Sequence, residues 1–414
     1  VGNRATMVDK TGTTHYTYDA LDRLIALTNP DSQTIQYAYD SVGNRTRITY
    51  PSGKVVNYFF DGLNRLKTVT DGAAITQYTY DAVSNRTRIE FPNSIVTTYN
   101  YDNANRLTAI RSTSPVSGTF LFVDYVLDNV GNRLQMADNE GLTTYGYDAL
   151  YWLTAVTYPD GAQVRYTYDP AGNRLAMTGP EGITTYTYDS ADRLLSLNLN
   201  GQSTTFTWDN NGNMLSKGAM QFTYDKANRL TQVVNGSTTV KYAYNGDGQR
   251  TSKSVNGVVT NYLWDTQAAL PEIVAETTGN VTTQYAYGLD LLAMTDPSGA
   301  SYYYHADGLG SVRNLSNASG QSVTRYLYDA YGKVRSQQGS SHNPFKFTGQ
   351  QVDDETGLIY LRARYYDPAI GRFLTRDPLG DIEGLYQYAG NNPVNQIDPQ
   401  GTLSLGGVLS AVKT

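Results

Sequence analysis

Thr184-Thr185-Tyr186-Thr187-Tyr188-Asp189, continued by Ser190-Ala191-Asp192-Arg193 and Leu194-Leu195-Ser196-Leu197-Asn198-Leu199-Asn200-Gly201, is the stretch that decides the fold. Its first part alternates Tyr with Thr, a period of two in residues that favour strands. That alternation places Tyr186 and Tyr188 on one face, with Thr185 and Thr187 on the other. Ser190-Ala191-Asp192 has turn composition, Arg193 opens a second strand, and Asn200-Gly201 is a strong hairpin-turn signal. The pattern restarts at Thr204-Thr205-Phe206-Thr207-Trp208-Asp209. The unit is a β-hairpin, and the expectation is an all-β chain.

The same hairpin recurs on both sides. Its Asp falls at Asp19, Asp40, Asp61, Asp81, Asp102, Asp128, Asp148, Asp169, Asp189, Asp209 and Asp225, with gaps of 21, 21, 20, 21, 26, 20, 21, 20, 20 and 16 residues. Weaker copies continue through Asn245, Asp265 and Asp329. A period near 20 is too short for a two-helix repeat and suits one hairpin. Two kinds of repeat are present. In one, Arg stands four residues after Asp: Asp19/Arg23, Asp61/Arg65, Asp102/Arg106, Asp189/Arg193. In the other the offset is five, with Gly-Asn before Arg: Asp40/Arg45, Asp128/Arg133, Asp169/Arg174. The additional residue, usually Gly, predicts a left-handed position in the turn. The Asp is expected to bond turn amides and to pair with the Arg.

Composition narrows the function. The net charge is −6 with Lys and Arg scattered, against a nucleic-acid face or an anionic membrane surface. Tyr numbers 36 against 10 Phe and 3 Trp, a bias suited to strands with half-wet surfaces, because the Tyr side chain is apolar at one end and polar at the other. With no Cys, disulfide scaffolds, thiolate metal sites and a Cys nucleophile are out. No apolar run reaches the length of a membrane span, and no signal peptide is visible, though the chain does not begin with Met. His15, His305 and His342 are too scattered for a metal site, and His305 reads as a core hydrogen-bonder. No cofactor or metal is expected.

Hairpins of the form Tyr-x-Tyr-Asp-x-x-Gly-Asn-Arg at this period resemble the YD repeats of bacterial Rhs proteins, toxin-complex C subunits, wall-associated proteins and teneurins. The resemblance implies a spiral of YD-repeat hairpins forming a curved sheet or hollow shell around another polypeptide, closed by a C-terminal Rhs core plug. Near residue 290 the composition changes. His305-Ala306-Asp307-Gly308-Leu309-Gly310, Phe347-Thr348-Gly349-Gln350, Asp354-Glu355-Thr356-Gly357-Leu358 and Ala363-Arg364-Tyr365-Tyr366-Asp367-Pro368 follow. Gly371-Arg372-Phe373-Leu374 then leads into Asp377-Pro378-Leu379-Gly380, and Asn391-Asn392-Pro393 leads into Asp398-Pro399-Gln400-Gly401. Together these resemble the Rhs repeat-associated core. The expected organisation is a hairpin array over 1–290, the core over 291–402, and the start of a variable segment over 403–414.

The two Asp-Pro-x-Gly segments are 21 residues apart. Pro fixes φ and Gly permits a tight reversal, so each holds a carboxylate rigidly. Two carboxylates brought close do not both ionise easily, the aspartic-protease arrangement, and a guanidinium beside them orients one or stabilises an oxyanion. On residues alone the segments also read as simple turns. The resemblance implies a self-cleavage site of Arg364, Asp377 and Asp398, cutting between Thr402 and Leu403. Arg362, Arg372 and Arg376 are the close alternatives for the cationic role. Many relatives carry Leu where Thr402 stands.

The reading is of a secreted or cell-surface shell that encloses a C-terminal toxin effector and frees it by a single-turnover, aspartyl-protease-like self-cleavage. Its partners would be that cargo and a secretion-machinery or toxin-complex component. Val1-Gly2-Asn3-Arg4 matches the second half of a repeat, and few residues follow Thr402, so the chain reads as a scaffold portion. The other reading is an adhesion or carbohydrate-binding repeat protein whose Tyr rings stack on glycans.

Overall fold

The structure, a computed structural model, describes residues 2–380, 384–402 and 405–406. Strand Gly182–Tyr188 pairs antiparallel with Leu194–Leu199, which pairs in turn with Gln202–Trp208, as the alternation predicts. Tyr186 is buried and Tyr188 partly buried, while Thr185 and Thr187 are exposed, so the two rings share a face. The rule extends to a 33-stranded antiparallel sheet from Thr6–Asp9 to Val334–Gln338, every ladder joining strands adjacent in sequence. Helix among the described residues amounts to two three-residue 3-10 turns.

Each turn is built on its Asp. Asp19 Oδ1 accepts the N–H groups of Leu21 and Arg23, and its Oδ2 accepts Arg23 Nε at 2.7 Å. Arg65, Arg106, Arg193 and Arg229 repeat that bond. In the second kind Asn takes over: Asn44 Nδ2 donates to Asp40 Oδ2 at 2.9 Å, as Asn132 and Asn173 do to Asp128 and Asp169. The turn has the same length in both kinds. The third residue after Asp is left-handed in each, at Asp22, Asn64 and Asn105 (φ 61, 59 and 60°) as at Gly43, Gly131 and Gly172 (φ 97, 100 and 80°). The left-handed position expected in the second kind is present, and the first kind shares it. The kinds differ only in what stands four residues after Asp, and in the second kind the Arg, displaced by one, pairs elsewhere.

The second aromatic of the repeat closes the hairpin. Register slips by one residue between Thr187 and Tyr188, and the same bulge recurs at Tyr18, Tyr39, Tyr80, Tyr101 and Tyr168. Bulges bend a strand and raise its twist, so one per hairpin at a fixed place curves the whole sheet. The tyrosine hydroxyl then reaches a carbonyl of the preceding hairpin: Tyr39 to Leu24 at 2.8 Å, Tyr168 to Leu153 at 2.7 Å, Tyr188 to Arg174 at 2.9 Å. Leu24 lies beyond the end of the ladder between its strand and the following one, which stops at Ala26 and Gln36, so the phenol satisfies a carbonyl that this ladder leaves open.

Curvature brings the sheet back over itself. Arg4 pairs with Asp247, 243 residues on, and the Tyr50 hydroxyl donates to the Tyr285 carbonyl, 235 on. Farther along, Asn93 meets Ser316 (223), Ser114 meets the Gly320 carbonyl (206), and Asp138 meets Arg313 (175). The turn of the spiral thus shortens along the chain. Side chains hold these layers together, and the displaced Arg residues supply several of the links: Arg45 to Asp265, Arg86 to Asp290, and Arg250 to Asp353.

The sheet does not stop at the expected boundary of 290. Strands Leu291–Thr295, Ser301–Ala306, Val312–Asn317, Ser322–Tyr328 and Val334–Gln338 continue it. Val312 to Ser316 are buried without interruption. A strand covered on both faces loses its polar alternation while keeping its pairing, which is why composition changes there and topology does not. After residue 338 the chain makes a small four-stranded sheet, Gln351–Asp353, Leu358–Leu361, Arg364–Asp367 and Arg372–Phe373, packed against the wall. This plug runs backward over the wall: Asp353 meets Arg250, Asp367 meets Lys217, Arg372 meets Asn173, and Asn395 accepts the Arg133 amide. The expected segment 403–414 lies outside the described residues except for Leu405–Gly406, whose backbone pairs with Gln396–Ile397.

Candidate active site

Arg364 begins a strand after the two-residue turn Arg362-Ala363, whose first residue is left-handed (φ 59°). Its guanidinium lies 3.5 Å from the centre of the Phe373 ring, which fixes the plane of the fork. Asp377 and Asp398 sit in matching turns. Asp377 Oδ1 accepts the Leu379 amide at 2.8 Å, and its carbonyl accepts Gly380 N–H. Asp398 Oδ1 accepts the Thr402 amide at 2.9 Å, and its carbonyl accepts Gly401 N–H at 3.4 Å. The Asp-Pro-x-Gly segments are therefore turns, and they also hold their carboxylates together.

The three predicted residues meet in a buried cluster. Arg364 Nη2 lies 2.8 Å from Asp377 Oδ2 and 3.3 Å from Asp398 Oδ2, with side-chain exposures of 2, 8 and 3% for Arg364, Asp377 and Asp398. Arg364 Nε donates to the Gly401 carbonyl, and Nη1 to the Leu385 carbonyl at 3.3 Å. Burial raises the Asp377 carboxyl above the usual range, and the Asp398 charge acts in the same direction. The Leu379 amide and Arg364 oppose them. One guanidinium thus touches both carboxylates and the carbonyl immediately before Thr402.

The other cations point elsewhere. Arg362 donates to the Pro271, Pro399 and Gln350 oxygens, and Arg372 to Asn173 and to the Asp192 carbonyl. Arg376 is exposed. Thr402 is half-buried and lines a cleft of about 730 Å³ where the first hairpins, the second layer and the plug meet, alongside Tyr16, Tyr39, Tyr360 and Gln400. Leu403, the other side of the expected cut, lies outside the described residues. Sequence reasoning missed the Phe373 ring, the Leu385 carbonyl and the wall contact at Pro271. Gly401 was the available signal for close packing: a Cβ there would stand 2.6 Å from the Leu361 carbonyl.

His305 is buried, with Nε2 2.8 Å from Ser316 Oγ and the Phe91 and Phe120 rings edge-on, and burial lowers its pKa to about 3. It is a neutral core residue. Among the described residues no helix is long and apolar enough to cross a membrane.

A curved meander of aspartate-turned hairpins, coiled over itself and filled by a small plug, defines a repeat-built β-shell protein. The sequence matches the Teneurin YD-shell family over residues 127–394, and RHS Repeat units over 1–34, 18–55, 39–76 and 80–115. The chain belongs to the Teneurin YD-shell family. It is 39% identical over 163 residues to the tRNA3(Ser)-specific nuclease WapA of Bacillus spizizenii, covering 37% of this chain and 7% of that protein. It is 38% identical over 103 residues to Toxin protein Tse5 of Pseudomonas aeruginosa, covering 24% and 8%. The chain thus corresponds to a small part of these relatives. The crystal structure of TcdB2-TccC3-TEV superposes with a TM-score of 0.80 at 19% identity, over 96% of this chain and 24% of that one, which establishes the shared fold.

Proposed function

We propose that this chain is the part of a secreted or cell-surface toxin protein that encloses a C-terminal effector and cuts it free after Thr402. The observation that carries the reading is the Arg364 fork, which joins Asp377, Asp398 and the Gly401 carbonyl next to the bond. Asp398, which already bonds the Thr402 amide, takes a proton from a water. The water oxygen bonds to the Thr402 carbonyl carbon. Asp377, whose burial favours its protonated form, gives its proton to the Leu403 nitrogen as the C–N bond breaks. The products are a Thr402 carboxylate and a new amino terminus at Leu403. Because catalyst and bond share one chain, high effective molarity makes a modest site sufficient for one turnover. The relatives named for nuclease and toxin activity support a toxin as cargo. A toxin-complex or secretion component is the partner in this reading.

The glycan reading has less support. The Tyr faces that would stack on sugars are covered by guanidinium groups: Arg86 over Tyr99, Arg133 over Tyr125, and Arg174 over Tyr166 and Tyr331.

The test is direct. The chain, extended past Thr414 by a folded cargo, should yield two fragments whose masses place the break between Thr402 and Leu403. Asp377→Asn and Asp398→Asn should each stay whole and folded, because an amide neither takes the water's proton nor donates one to the leaving amine. Continued cleavage by Asp398→Asn would eliminate the mechanism.

A further inference from the structure

We propose that Arg362 is a positioning residue for this cleavage, tying the turn that carries Asp398 to the wall of the shell; the proposal rests on the self-cleavage reading above. Three consecutive residues of the plug hairpin donate to three consecutive carbonyls just before the bond. Arg362 Nη1 donates to the Pro399 carbonyl at 2.6 Å, the Ala363 amide to the Gln400 carbonyl at 3.1 Å, and Arg364 Nε to the Gly401 carbonyl. Gly401 lets the two segments close. It is left-handed (φ 70°), and a Cβ there would lie 2.6 Å from the Leu361 carbonyl and 3.0 Å from the Arg364 nitrogen.

Arg362 also reaches the wall. Its Nε and Nη2 both bond the Pro271 carbonyl, at 3.2 and 2.9 Å. Pro271 lies in the loop between wall strands Val258–Asp265 and Glu272–Thr278. Nη1 also donates to Gln350 Oε1 at 2.9 Å, within the plug. One side chain therefore joins wall, plug and cleavage turn. Arg362 holds a left-handed backbone (φ 59°), which is uncommon for a residue with a side chain and persists where surrounding contacts fix it. The orientation of the Thr402 peptide toward Asp377 and Asp398 is thus set from the wall, and cutting is coupled to a plug seated on that wall. Arg362 touches neither carboxylate in any described contact, so it acts through the turn and not on the reacting atoms.

The test uses the full chain extended by a folded cargo, made in a cell-free reaction. Its single-turnover cleavage is followed by intact mass in buffers from about pH 5 to pH 8. Arg362→Ala should slow cleavage by roughly ten- to a hundred-fold, the scale of a small misplacement of reacting groups, with the shape of the pH profile unchanged. Arg362→Lys should fall between Ala and the native chain, because one ammonium can bond the Pro399 carbonyl but cannot span to Pro271 and Gln350 together. Arg364→Gln, by contrast, should move the profile, since that guanidinium touches both carboxylates. A native rate in Arg362→Ala, with Asp398→Asn inactive, overturns this proposal and leaves the self-cleavage reading intact. A shifted profile in Arg362→Ala also overturns it, since the residue would then act on the titrating pair. Should Arg362→Ala lose its β-sheet signal in circular dichroism, Arg362→Lys decides: a native rate in that variant rejects the bridging role.

Discussion

The hydroxyl of the second aromatic explains why this chain uses Tyr where Phe would pack as well. It donates to a carbonyl beyond the end of the preceding ladder, and Trp264 does the same with its indole N–H toward the Arg250 carbonyl. Tyr287, buried and bonded to the Ile273 carbonyl at 3.0 Å, is the clearest place to measure the effect. Tyr287→Phe should cost about 1–3 kcal/mol, the range for stranding a buried polar group, read as a lower urea midpoint. Asp329 gives a second residue-level expectation. Burial raises its pKa to about 6, against the pull of the Lys333 and Tyr331 amides on its carboxylate. The folded state then binds the proton more tightly than the unfolded chain. Its contribution to stability is full below about pH 4 and is lost as pH rises through 6. Asp329→Asn keeps the acceptor oxygen, so it should be more stable than the native chain at pH 7, by roughly 1–2 kcal/mol, and indistinguishable from it near pH 4. Urea titrations at the two pH values decide it.

At the scale of the hairpin, one displaced residue separates two jobs. Arg four after Asp closes its own turn at a half-exposed site, whereas Arg five after Asp leaves the turn to Asn and crosses to the next layer or the plug. Arg250 is the extreme case. Its Nη1 bonds Asp353 at 2.6 Å, both side chains are fully buried, and the ring centroids of Tyr242, Tyr262, Tyr360 and Tyr365 lie within 6 Å. Arg250→Ala should cost about 3–5 kcal/mol because it removes the closer cation of a buried carboxylate and leaves it Lys253 at 3.3 Å. Arg23→Ala should cost no more than about 1 kcal/mol. Thermal melts of the two variants test the division, and equal costs would refute it. Repeat length matters as well. The short 16-residue repeat that ends at Asp225 leaves the Met214 amide for the Leu374 carbonyl and Asn213 to bridge Thr375. There the plug joins the backbone of the wall.

For the whole molecule, sequential pairing gives a sheet whose integrity is spread over many hairpins, while its closure depends on side chains between layers. After a cut at Thr402, the only described backbone pairing across it would be Leu405–Gly406 against Gln396–Ile397, two residues long. So short a ladder does not hold a fragment by itself. Under the enclosure reading, the cleaved cargo should nevertheless co-elute with the shell in native size-exclusion chromatography and separate in denaturant. Separation under native conditions would count against enclosure.

The hairpins were legible because their causes are local. Period-two alternation, an Asp that bonds its own turn and a left-handed residue three positions later all lie within one repeat, so Thr184 to Gly201 suffices to read them. The Asp-Pro-x-Gly turns were legible for the same reason. The sequence did not reveal where the sheet ends, because strands buried on both faces past residue 290 lose the alternation that marked the earlier ones. Nor could spacing alone choose among Arg362, Arg364, Arg372 and Arg376: their roles depend on Pro271, Asn173 and Asp192, residues about 90 to 200 positions away that only the coiling of the sheet brings near. Local hydrogen bonding is written in the repeat itself, whereas the layer contacts and the three-donor clamp before Thr402 arise from how much each bulge bends the sheet, summed over many hairpins.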